Sequence, residues 1–289
     1  MTELRIGTSG WNYPHWRGTF YPKGLPHRRE LEYLSTRMNS VEINGSFYSL
    51  QRPSSYRKWA DETPPGLVFA VKGGRFITHM RKLRDIRVPL ANFFASGLLL
   101  LGEKLGPILW QFPPQWSYNR ERVLDFLEML PQTSTKASIL AAGHQLPSAG
   151  YAWIEPIAET RIRHAFEVRH PSFFTEDFVD LLREYNVALV FADTAGRWPY
   201  SEDITGDFVY VRLHGADQLY ASVYTDEQLG WWADRVCTWR SGFEPLDASR
   251  IAAEQFQSGI DRDVFIYFDN DIGSHAPFDA IKLKTMLAD

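Results

Sequence analysis

The sequence of 289 residues contains a single cysteine, Cys237, so the chain cannot form an internal disulfide bond. One free thiol suits a reducing compartment, and its position in a helix-like segment predicts a small buried residue rather than a nucleophile. No apolar run, the leucines from Leu98 to Leu101 included, is long enough to cross a bilayer. The N-terminus also lacks the basic, apolar and small-residue zones of a signal peptide. We therefore expect a cytoplasmic protein that makes no membrane contact.

A strong charge of either sign is missing as well, since 31 Lys and Arg residues nearly balance 35 Asp and Glu residues, for a net charge of -4. This balance excludes a protein that binds nucleic acid or anionic membranes through its charge as a whole, although a local basic patch remains open. Internal repeats, low-complexity tracts and linkers rich in Pro, Gly or Ser are absent from the sequence. We expect residues 1–289 to form one domain.

Eight short runs, most of them rich in β-branched or aromatic residues, alternate with segments of helical periodicity. Start signals precede two of the helical segments, at Pro53 and at Thr175. Alternating strands and helices imply right-handed crossovers and a parallel sheet, and eight such units complete a closed barrel. The strand-like runs begin at Leu4, Ser40, Leu67, Pro107, His164, Ala188, Phe208 and Val264.

The predicted fold is therefore α/β, a single (β/α)8 TIM barrel with decorated loops. Two connections fit this pattern less well than the others. Residues 195–207, between the sixth and seventh runs, show no obvious full helix, and residues 132–160 form a long stretch before the fifth run. The fold prediction depends on the remaining five connections.

Side chains of a barrel strand point alternately to the lumen and to the surrounding helices, and the helix-facing set must be apolar. In the segment "HAFEVRHP", Phe166 and Val168 take the helix-facing positions, which directs Glu167 and Arg169 into the lumen. The same rule, with Val190 and Ala192 taken as helix-facing in the sixth strand, predicts these inward polar residues: Glu42, Asn44, Lys72, Gln111, Asp193, Tyr210, Arg212, His214, Tyr267, Asp269 and Asp271.

So much polar lining near the carboxyl ends of the strands indicates a functional site, because barrel interiors are usually filled by branched apolar residues. The alternative is that pairs such as Glu167 with Arg169, or Glu42 with Arg212, only fix the register of the strands. If the residues form a site, Glu167→Gln and Arg212→Met should leave the fold intact, since sites are commonly less than optimal for stability.

Several segments resemble, in order and spacing, a family called domain of unknown function 72, or YecE-like; they include "GTSGWNYPHWRGTFYP", "NSVEINGSFYSL", "FEVRHPSFF", "VYVRLHG" and "YFDNDIGSHAPFDA". The resemblance covers nearly the whole chain. It implies a TIM barrel with a polar pocket at its C-terminal mouth, and it implies no established reaction. The chain departs from many members at Gly45 and Ser46, and at Asp269 and Asp279, where many members have Asn.

One hypothesis for the inward residues is a divalent-metal site. Glu167, Asp193 and His214, with Asp269 or Asp271, follow one another at consecutive strand ends, an order that resembles the metal site of the xylose-isomerase-like sugar isomerases. Oxygen and imidazole ligands suit Mn²⁺, Mg²⁺, Co²⁺ or Zn²⁺. Arginines beside these carboxylates could neutralise them without a metal, so the cofactor stays open and no metal ligand is assigned.

The other hypothesis is a pocket for a small anion, because arginine and lysine recognise phosphate and carboxylate groups. The candidate binding residues are cationic, aromatic or amide side chains near strand ends: Trp11, Asn44, Tyr48, Lys72, His79, Arg169, Arg212, Gln111 and Asn270. Further candidates are Arg75 and the aromatic residues Tyr13, Trp16, Phe47, Trp116 and Tyr224.

The functional prediction is an enzyme that acts on a phosphorylated, sugar-like or nucleic-acid-derived substrate by acid–base or metal-assisted chemistry. The candidate catalytic residues are Glu42, Glu167, Asp193 and His214, because carboxylates and imidazole transfer protons. A small anionic ligand is the expected partner. The alternative is a non-catalytic protein that uses the same basic and aromatic groups to bind a ligand or nucleic acid.

Overall fold

The computed structural model describes residues 2–147 and 150–288. Eight parallel strands close into a barrel in chain order, with the first strand paired to the last. The predicted α/β fold and its (β/α)8 barrel are confirmed, and each predicted run overlaps one strand, although β4 and β8 begin two residues and one residue before the predicted runs. The strands are β1 Leu4–Ser9, β2 Ser40–Ile43, β3 Val68–Lys72, β4 Leu105–Gln111, β5 His164–Glu167, β6 Ala188–Asp193, β7 Phe208–Leu213 and β8 Asp263–Phe268.

Helices surround the barrel, and both predicted start signals are confirmed. Pro53 is the first residue of a helix, where its missing N–H costs nothing, and the Thr175 side chain accepts a hydrogen bond from Phe178 N. The helices are α1 Glu30–Ser35, α2 Gly45–Tyr48, α3 Pro53–Asp61, α4 Arg87–Ala95, α5 Arg120–Met129, α6 Ser134–Ala141, α7 Glu176–Glu184, α8 Asp226–Arg240 and α9 Ala276–Met286. Within residues 2–147 and 150–288, no helix has the length and apolar character needed to span a membrane.

The two irregular connections differ in outcome. Residues 194–207, all of which are described, contain no helix, as the sequence indicated. The stretch before β5 contains α6, which packs against α4 outside the barrel. Cys237 lies in α8 as expected, but the prediction that it is buried was wrong, because it lies on the exposed face of that helix.

The lumen of the barrel has an apolar lower part, toward the amino ends of the strands, and a polar upper part, at their carboxyl ends. Branched and aromatic side chains fill the lower part, and they are Val68, Ala70, Leu109, Ala165, Ala188, Val190, Phe208, Tyr210, Phe265 and Tyr267. A larger apolar layer between strands and helices contains the alternate positions, such as Val41, Phe166 and Val211. The alternation predicted for β2, β3, β4, β5, β7 and β8 therefore agrees with the structure. The polar residues that follow at the upper strand ends form the floor of the mouth.

The alternation predicted for β6 was wrong. Val190 and Ala192 belong to the lumen, whereas Leu189 and Phe191 pack in the outer layer. Asp193 therefore points away from the lumen. The physical reason is that β6 reads apolar at both faces over "ALVFA", so its sequence contains no polar position that fixes which face is inside.

Candidate functional site

A pocket of about 770 Å³ opens at the carboxyl ends of the strands. In barrels of this kind the loops that follow the strands meet at this face and carry the chemistry. Here the strand ends contribute Lys72, Gln111 and Asp269, and the loops and short helices contribute aromatic and cationic side chains. The mouth pocket is lined by Tyr13, Asn44, Phe47, Tyr48, Lys72, Arg75, His79, Met80, Gln111, Arg169, Tyr220 and Asp269.

Arg212 is the centre of a buried ion cluster beneath the mouth pocket. Its guanidinium donates hydrogen bonds to Glu42 Oε1 at 2.9 Å, to Glu167 Oε2 at 2.7 Å and to Asp269 Oδ2 at 3.0 Å. Burial opposes the charge, but the three carboxylates raise the pKa of Arg212 well above its ordinary value. A buried charge is stable only when it is paired and hydrogen-bonded. The cluster therefore ties β2, β5, β7 and the end of β8 together.

Glu42 is fully engaged inside this cluster. Its Oε1 accepts hydrogen bonds from Ser9 Oγ at 2.5 Å and from Arg212, and its Oε2 accepts from Tyr210 Oη at 2.6 Å and from Arg212. The side chain is completely buried and does not line the mouth pocket. Glu42 therefore acts on the pocket only through its neighbours.

Glu167 links the cluster to the pocket lining. It accepts hydrogen bonds from Gln111 Nε2 at 2.8 Å and from Arg169 Nε at 2.8 Å, and both donors line the pocket. Burial acts to raise the pKa of Glu167, but Arg169 and Arg212 outweigh it and hold the pKa well below its usual range. A carboxylate that stays ionised in this way fixes the orientation of Arg169 and Gln111.

His214 lies in the same buried layer, between Arg212 and Asp269. Its Nδ1 is 3.0 Å from Asp269 Oδ2, and its Nε2 accepts a hydrogen bond from Arg212 Nη1 at 3.3 Å. This pattern assigns the proton to Nδ1. Burial and the charge of Arg212 lower the pKa of His214, so the ring is neutral at physiological pH. Arg212 and His214 hold the pKa of the buried Asp269 carboxyl at about 2, although burial alone would raise it.

Lys72 is buried at the end of β3, with 8% of its surface exposed, and lines the mouth pocket. Its Nζ lies 4.5 Å from the centroid of the Phe47 ring. Among residues 2–147 and 150–288, no carboxylate lies within salt-bridge distance of this ammonium, and no acceptor takes a hydrogen bond from it. Burial, with the charge of Arg212, lowers the pKa of Lys72 to about 8.

His79 reaches the pocket from a five-residue π-helical turn, Phe76–Met80, that follows β3. Its Nδ1 is 2.8 Å from Thr78 Oγ1, and its ring packs edge-on against Phe47. Burial and the nearby charges of Lys72 and Arg169 lower the pKa of His79 to about 4. His79 is therefore neutral at physiological pH and offers a hydrogen bond rather than a positive charge.

The mouth has more positive than negative charge. Arg75 lines the pocket near Tyr48, and no carboxylate in the described part of the chain pairs with it. Together the lining and the cluster beneath it contain four permanent or titratable cations and three carboxylates, namely Lys72, Arg75, Arg169 and Arg212 against Glu42, Glu167 and Asp269. With Lys72 protonated, one positive charge is in excess. The pocket therefore suits an anion.

The structure sorts the predicted site residues into three groups. Those that line the mouth pocket are Asn44, Tyr48, Lys72, His79, Gln111 and Arg169. Those buried beneath it, where a ligand in the pocket would not touch them, are Glu42, Glu167, Arg212 and His214. Those that lie elsewhere are Trp11, Asp193 and Asn270.

The three residues outside the pocket have structural partners. Trp11 packs edge-on against Trp59, with ring centroids 5.2 Å apart. Asn270 is buried, and its Nδ2 donates to Ser222 O at 3.0 Å and to Asp279 Oδ2 at 2.7 Å, so it joins the loop after β7 to the first turn of α9. The prediction that Trp11 and Asn270 bind a ligand in the mouth is therefore not supported by their positions.

Asp193 lines a second pocket of about 670 Å³, between the β6–β7 connection and α8. Its Oδ2 accepts a hydrogen bond from Tyr224 Oη at 2.9 Å, and burial raises its pKa. The placement corrects the prediction that Asp193 stands with Glu167 and His214. Tyr224, which the sequence suggested as a face for a base or sugar, is buried at the floor of this second pocket.

This geometry does not support the metal hypothesis. Asp193 faces away from the lumen, and Asp271 is bound by Trp16 Nε1 at 2.5 Å and lies 3.0 Å from His15 Nε2. In the part of the chain that the structure describes, no three His, Cys, Asp or Glu side chains are grouped so that they could hold a metal ion. The carboxylates that do converge, Glu42, Glu167 and Asp269, surround Arg212.

Two lining residues, Met80 and Tyr220, were missed. Tyr220 belongs to the loop after β7, and its hydroxyl is 3.5 Å from Arg169 Nη2. The sequence feature that indicates Tyr220 is its place in "HGADQLY", directly after a strand end, because the loops that follow barrel strands cover the mouth. Met80 lies in the π-helical turn, whose shape the sequence does not indicate.

The closed barrel and its cation-rich mouth define a TIM-barrel protein with a polar pocket at the C-terminal face. The chain belongs to the family described as "Protein of unknown function DUF72", whose family model matches residues 5–289. The resemblance drawn from the sequence motifs is thereby confirmed. The family description assigns no reaction.

Individual relatives agree with this assignment. A segment of 125 residues is 29% identical to the UPF0759 protein YunF of Bacillus subtilis (strain 168), and it covers 42% of this chain and 43% of that protein. A DUF72 family protein of Thermotoga maritima MSB8 is 23% identical, with a TM-score of 0.74 over 99% of this chain and 100% of that chain. A DUF72 family protein of Enterococcus faecalis V583 is 15% identical, with a TM-score of 0.67 over 99% and 96%. These two likenesses concern the fold.

Proposed function

We propose that this protein is an enzyme that binds an anionic small molecule in the mouth pocket, with a phosphorylated, sugar-like or nucleic-acid-derived compound as its substrate. The observation that carries the proposal is the pair of cations, Lys72 and Arg75, that line the pocket without a carboxylate partner in the described residues. The volume of about 770 Å³ lies within the range of small-molecule sites. A phosphate or carboxylate group of the ligand would supply the missing negative charge.

Aromatic rings support a ligand that has a flat or ring-shaped part. Tyr13, Phe47, Tyr48 and Tyr220 line the same pocket, and Tyr48 is 67% exposed. An exposed aromatic ring at a pocket rim is available for stacking on a sugar or a base. The amide side chains of Asn44 and Gln111 add neutral hydrogen-bonding groups, which suit hydroxyl groups of a sugar.

The buried carboxylates serve this site as positioning residues. Glu167 accepts hydrogen bonds of 2.8 Å from Arg169 and from Gln111, and both of these residues line the pocket. Only groups that line the pocket can transfer a proton to a ligand in it, and Lys72 and His79 are among them. This assignment replaces the one based on Glu42, Glu167, Asp193 and His214.

The test is calorimetric titration with inorganic phosphate, ribose 5-phosphate and AMP, together with melting curves in their presence. A ligand that binds only the folded chain raises the free energy of unfolding by mass action. We expect at least one of these probes to bind the wild type, and Arg75→Met to weaken it about tenfold, as the loss of one charged hydrogen bond does. The matched control is Lys136→Met, an exposed lysine on α6 outside the mouth, which should leave binding unchanged.

Two results would overturn the proposal. One is the absence of binding by all three anions at low salt, and the other is equal binding by Arg75→Met and the wild type. The non-catalytic alternative makes a separate prediction, since such a protein would bind the same probes and convert none of the compounds related to them. Nuclear magnetic resonance of a bound probe over time, with stoichiometric protein, distinguishes the two functions.

A further inference from the structure

The Lys72 nitrogen has no structural task in the described fold. Arg169 and Arg212 are bound to Glu167, whereas the Lys72 ammonium lies over the Phe47 ring with no carboxylate or hydrogen-bond acceptor from residues 2–147 or 150–288. Its side chain is nevertheless buried and lines a pocket open to small molecules. A lysine that has no partner from the protein and faces an open pocket is available to react with a ligand.

The surroundings of Lys72 favour its uncharged form. Burial, followed by the charge of Arg212, lowers the pKa of Lys72 to about 8, against the opposing effect of the three carboxylates. At pH 7 about one Lys72 side chain in ten is then a free amine, whereas an ordinary lysine has fewer than about one in a thousand. Only the free amine attacks a carbonyl carbon.

We propose that Lys72 forms an imine with a carbonyl compound that also carries a phosphate or carboxylate group, while Arg75 and Arg169 hold that anionic group. This inference rests on the proposed function and names the substrate class of the same pocket. Binding and attack of such a compound require a nucleophile and a separate anion-binding group in one cavity. Lys72 lies at the end of β3, Arg75 follows three residues later, and Arg169 follows β5.

The covalent step balances without any other reactant. The Lys72 nitrogen forms a bond to the carbonyl carbon, and the π electrons of the carbonyl move to its oxygen. That oxygen then leaves as water with both hydrogens of the amine, so one amine and one carbonyl give one imine and one water. Once protonated, the imine accepts the electron pair of a neighbouring C–H or C–C bond. This is the chemistry of isomerisation or aldol cleavage.

Lys104 shows that a pKa lowered by burial is not sufficient to identify a reactive lysine. Its pKa is also lowered by burial, but its Nζ donates to Ala60 O at 2.5 Å, to Thr63 O at 2.6 Å and to Thr63 Oγ1 at 3.2 Å. These acceptors hold the ammonium as a structural tie between the end of α3 and the segment before β4. Lys104 is therefore an internal control in any labelling experiment.

The test is reductive trapping of the full chain with dihydroxyacetone phosphate or pyruvate and sodium borohydride, followed by peptide mass spectrometry. We expect an adduct on Lys72 that forms about tenfold or more faster than any adduct on Lys136, because of the larger free-amine fraction. It should also form faster than any adduct on Lys104, whose nitrogen is held by three acceptors. Inorganic phosphate should slow the labelling, and the neutral ketone hydroxyacetone should label Lys72 less. Lys72→Met should show no adduct at the mouth, and a cooperative melting curve would establish that this variant folds.

Lys72→Arg separates the two proposals, because it keeps the positive charge and removes the nucleophile. It should form no adduct, while the anion site is tested separately by phosphate binding to the wild type and to Arg75→Met. If the wild type binds phosphate but forms no adduct on Lys72, the imine is overturned and the anion site is left intact. If the wild type neither binds phosphate nor forms an adduct, the proposed function is overturned as well. Equal labelling of Lys72, Lys104 and Lys136, or labelling that phosphate does not slow, would also contradict the inference.

Discussion

Arg212 and Lys72 are both buried cations of the upper lumen, but they differ in their partners. Arg212 donates hydrogen bonds to three carboxylates, whereas Lys72 has none among the described residues. Burial of a charge is tolerated only where pairing compensates the lost hydration. Removal of Arg212 therefore leaves Glu42 and Asp269 without an arginine partner and Glu167 with Arg169 alone. Removal of the Lys72 charge instead removes a buried charge that has no carboxylate partner among the described residues.

We first predict that Arg212→Met lowers the free energy of unfolding by roughly 3–5 kcal/mol, the usual cost of breaking a buried ion pair. This prediction differs from the one drawn from the sequence, because Arg212 is surrounded by three carboxylates. Urea titration followed by circular dichroism measures the change. Arg161→Met is the matched control, because Arg161 pairs with Asp207 at the surface, where a salt bridge contributes about 1 kcal/mol or less. Similar losses in both variants would contradict the structural role of the cluster.

Lys72→Met should instead stabilise the protein at neutral pH. The folded-state pKa of Lys72 is lowered from 10.5 to about 8, so below pH 8 both states carry the proton and the folded state bears the full cost of the buried charge. Between these values the unfolded state binds more protons, so the stability of the wild type rises with pH toward that of the variant. We expect a gain of up to roughly 3 kcal/mol at pH 7 that vanishes above pH 10.5.

The measurement is a series of urea unfolding curves from pH 6 to pH 11 for the wild type and for Lys72→Met. The exposed Lys136→Met is the control and should differ from the wild type by a small, constant amount. A loss of stability in Lys72→Met at pH 7, or a gain that does not change with pH, would show that the Lys72 ammonium has a stabilising partner.

At the scale of elements, the end of β3 depends on close contact with β4. Gly73 follows Lys72 directly, and a Cβ at this position would overlap the Trp110 ring in the outer core. From the sequence alone, the pair of glycines in "VKGG" predicts a turn after the third strand. The structure shows that Gly73 is needed for the close approach of the two strands, since its φ is not among the positive ones.

Gly73→Ala should therefore cost about 1–3 kcal/mol of stability, the usual effect of overpacking a core. Gly74→Ala is a matched control one residue away, because its Cβ would meet only Ser46 O, at 3.8 Å. Thermal melts of both variants give the comparison. Equal effects of the two substitutions would mean that backbone flexibility, rather than contact with Trp110, explains the glycine at position 73.

For the whole molecule, the charge distribution bears on nucleic acid as a partner. The net charge is -4, and the mouth, with a pocket of about 770 Å³, contains one positive charge in excess when Lys72 is protonated. A cavity of this size admits a nucleotide rather than a duplex, and binding through backbone phosphates requires several cations along an open surface. We therefore propose a small anion rather than a polymer as the ligand.

We expect no detectable binding of duplex DNA or of single-stranded RNA at physiological salt, as measured by fluorescence anisotropy of labelled oligonucleotides. Weak binding at low salt should be displaced by inorganic phosphate if it uses the mouth. Tight binding whose log–log salt slope corresponds to many phosphates, at about -0.9 for each phosphate of a duplex, would contradict this expectation and support the nucleic-acid alternative.

The sequence by itself determined the barrel and most of the floor of the site. Strands such as "SVEI" and "FVYVRL" have a strictly apolar face, so a rule of period two correctly directed Glu42 and Arg212 inward. The alternation rule uses only the residues of one strand. It can tell the inward face from the outward face only where one of the two faces is polar. In β6 both faces are apolar, so only the closed barrel decided that Asp193 lies outside.

Only the tertiary structure decided which inward residues meet one another. Glu42 and Arg212 are 170 positions apart in the chain, and their contact depends on the closure of the barrel and on the register of every intervening strand pair. For the same reason the sequence does not show that the carboxylates contact Arg212, or that Lys72 has no carboxylate partner among the described residues. Alternation along a strand fixes the side on which a residue lies, whereas partners across a lumen are fixed by the packing of all eight strands together.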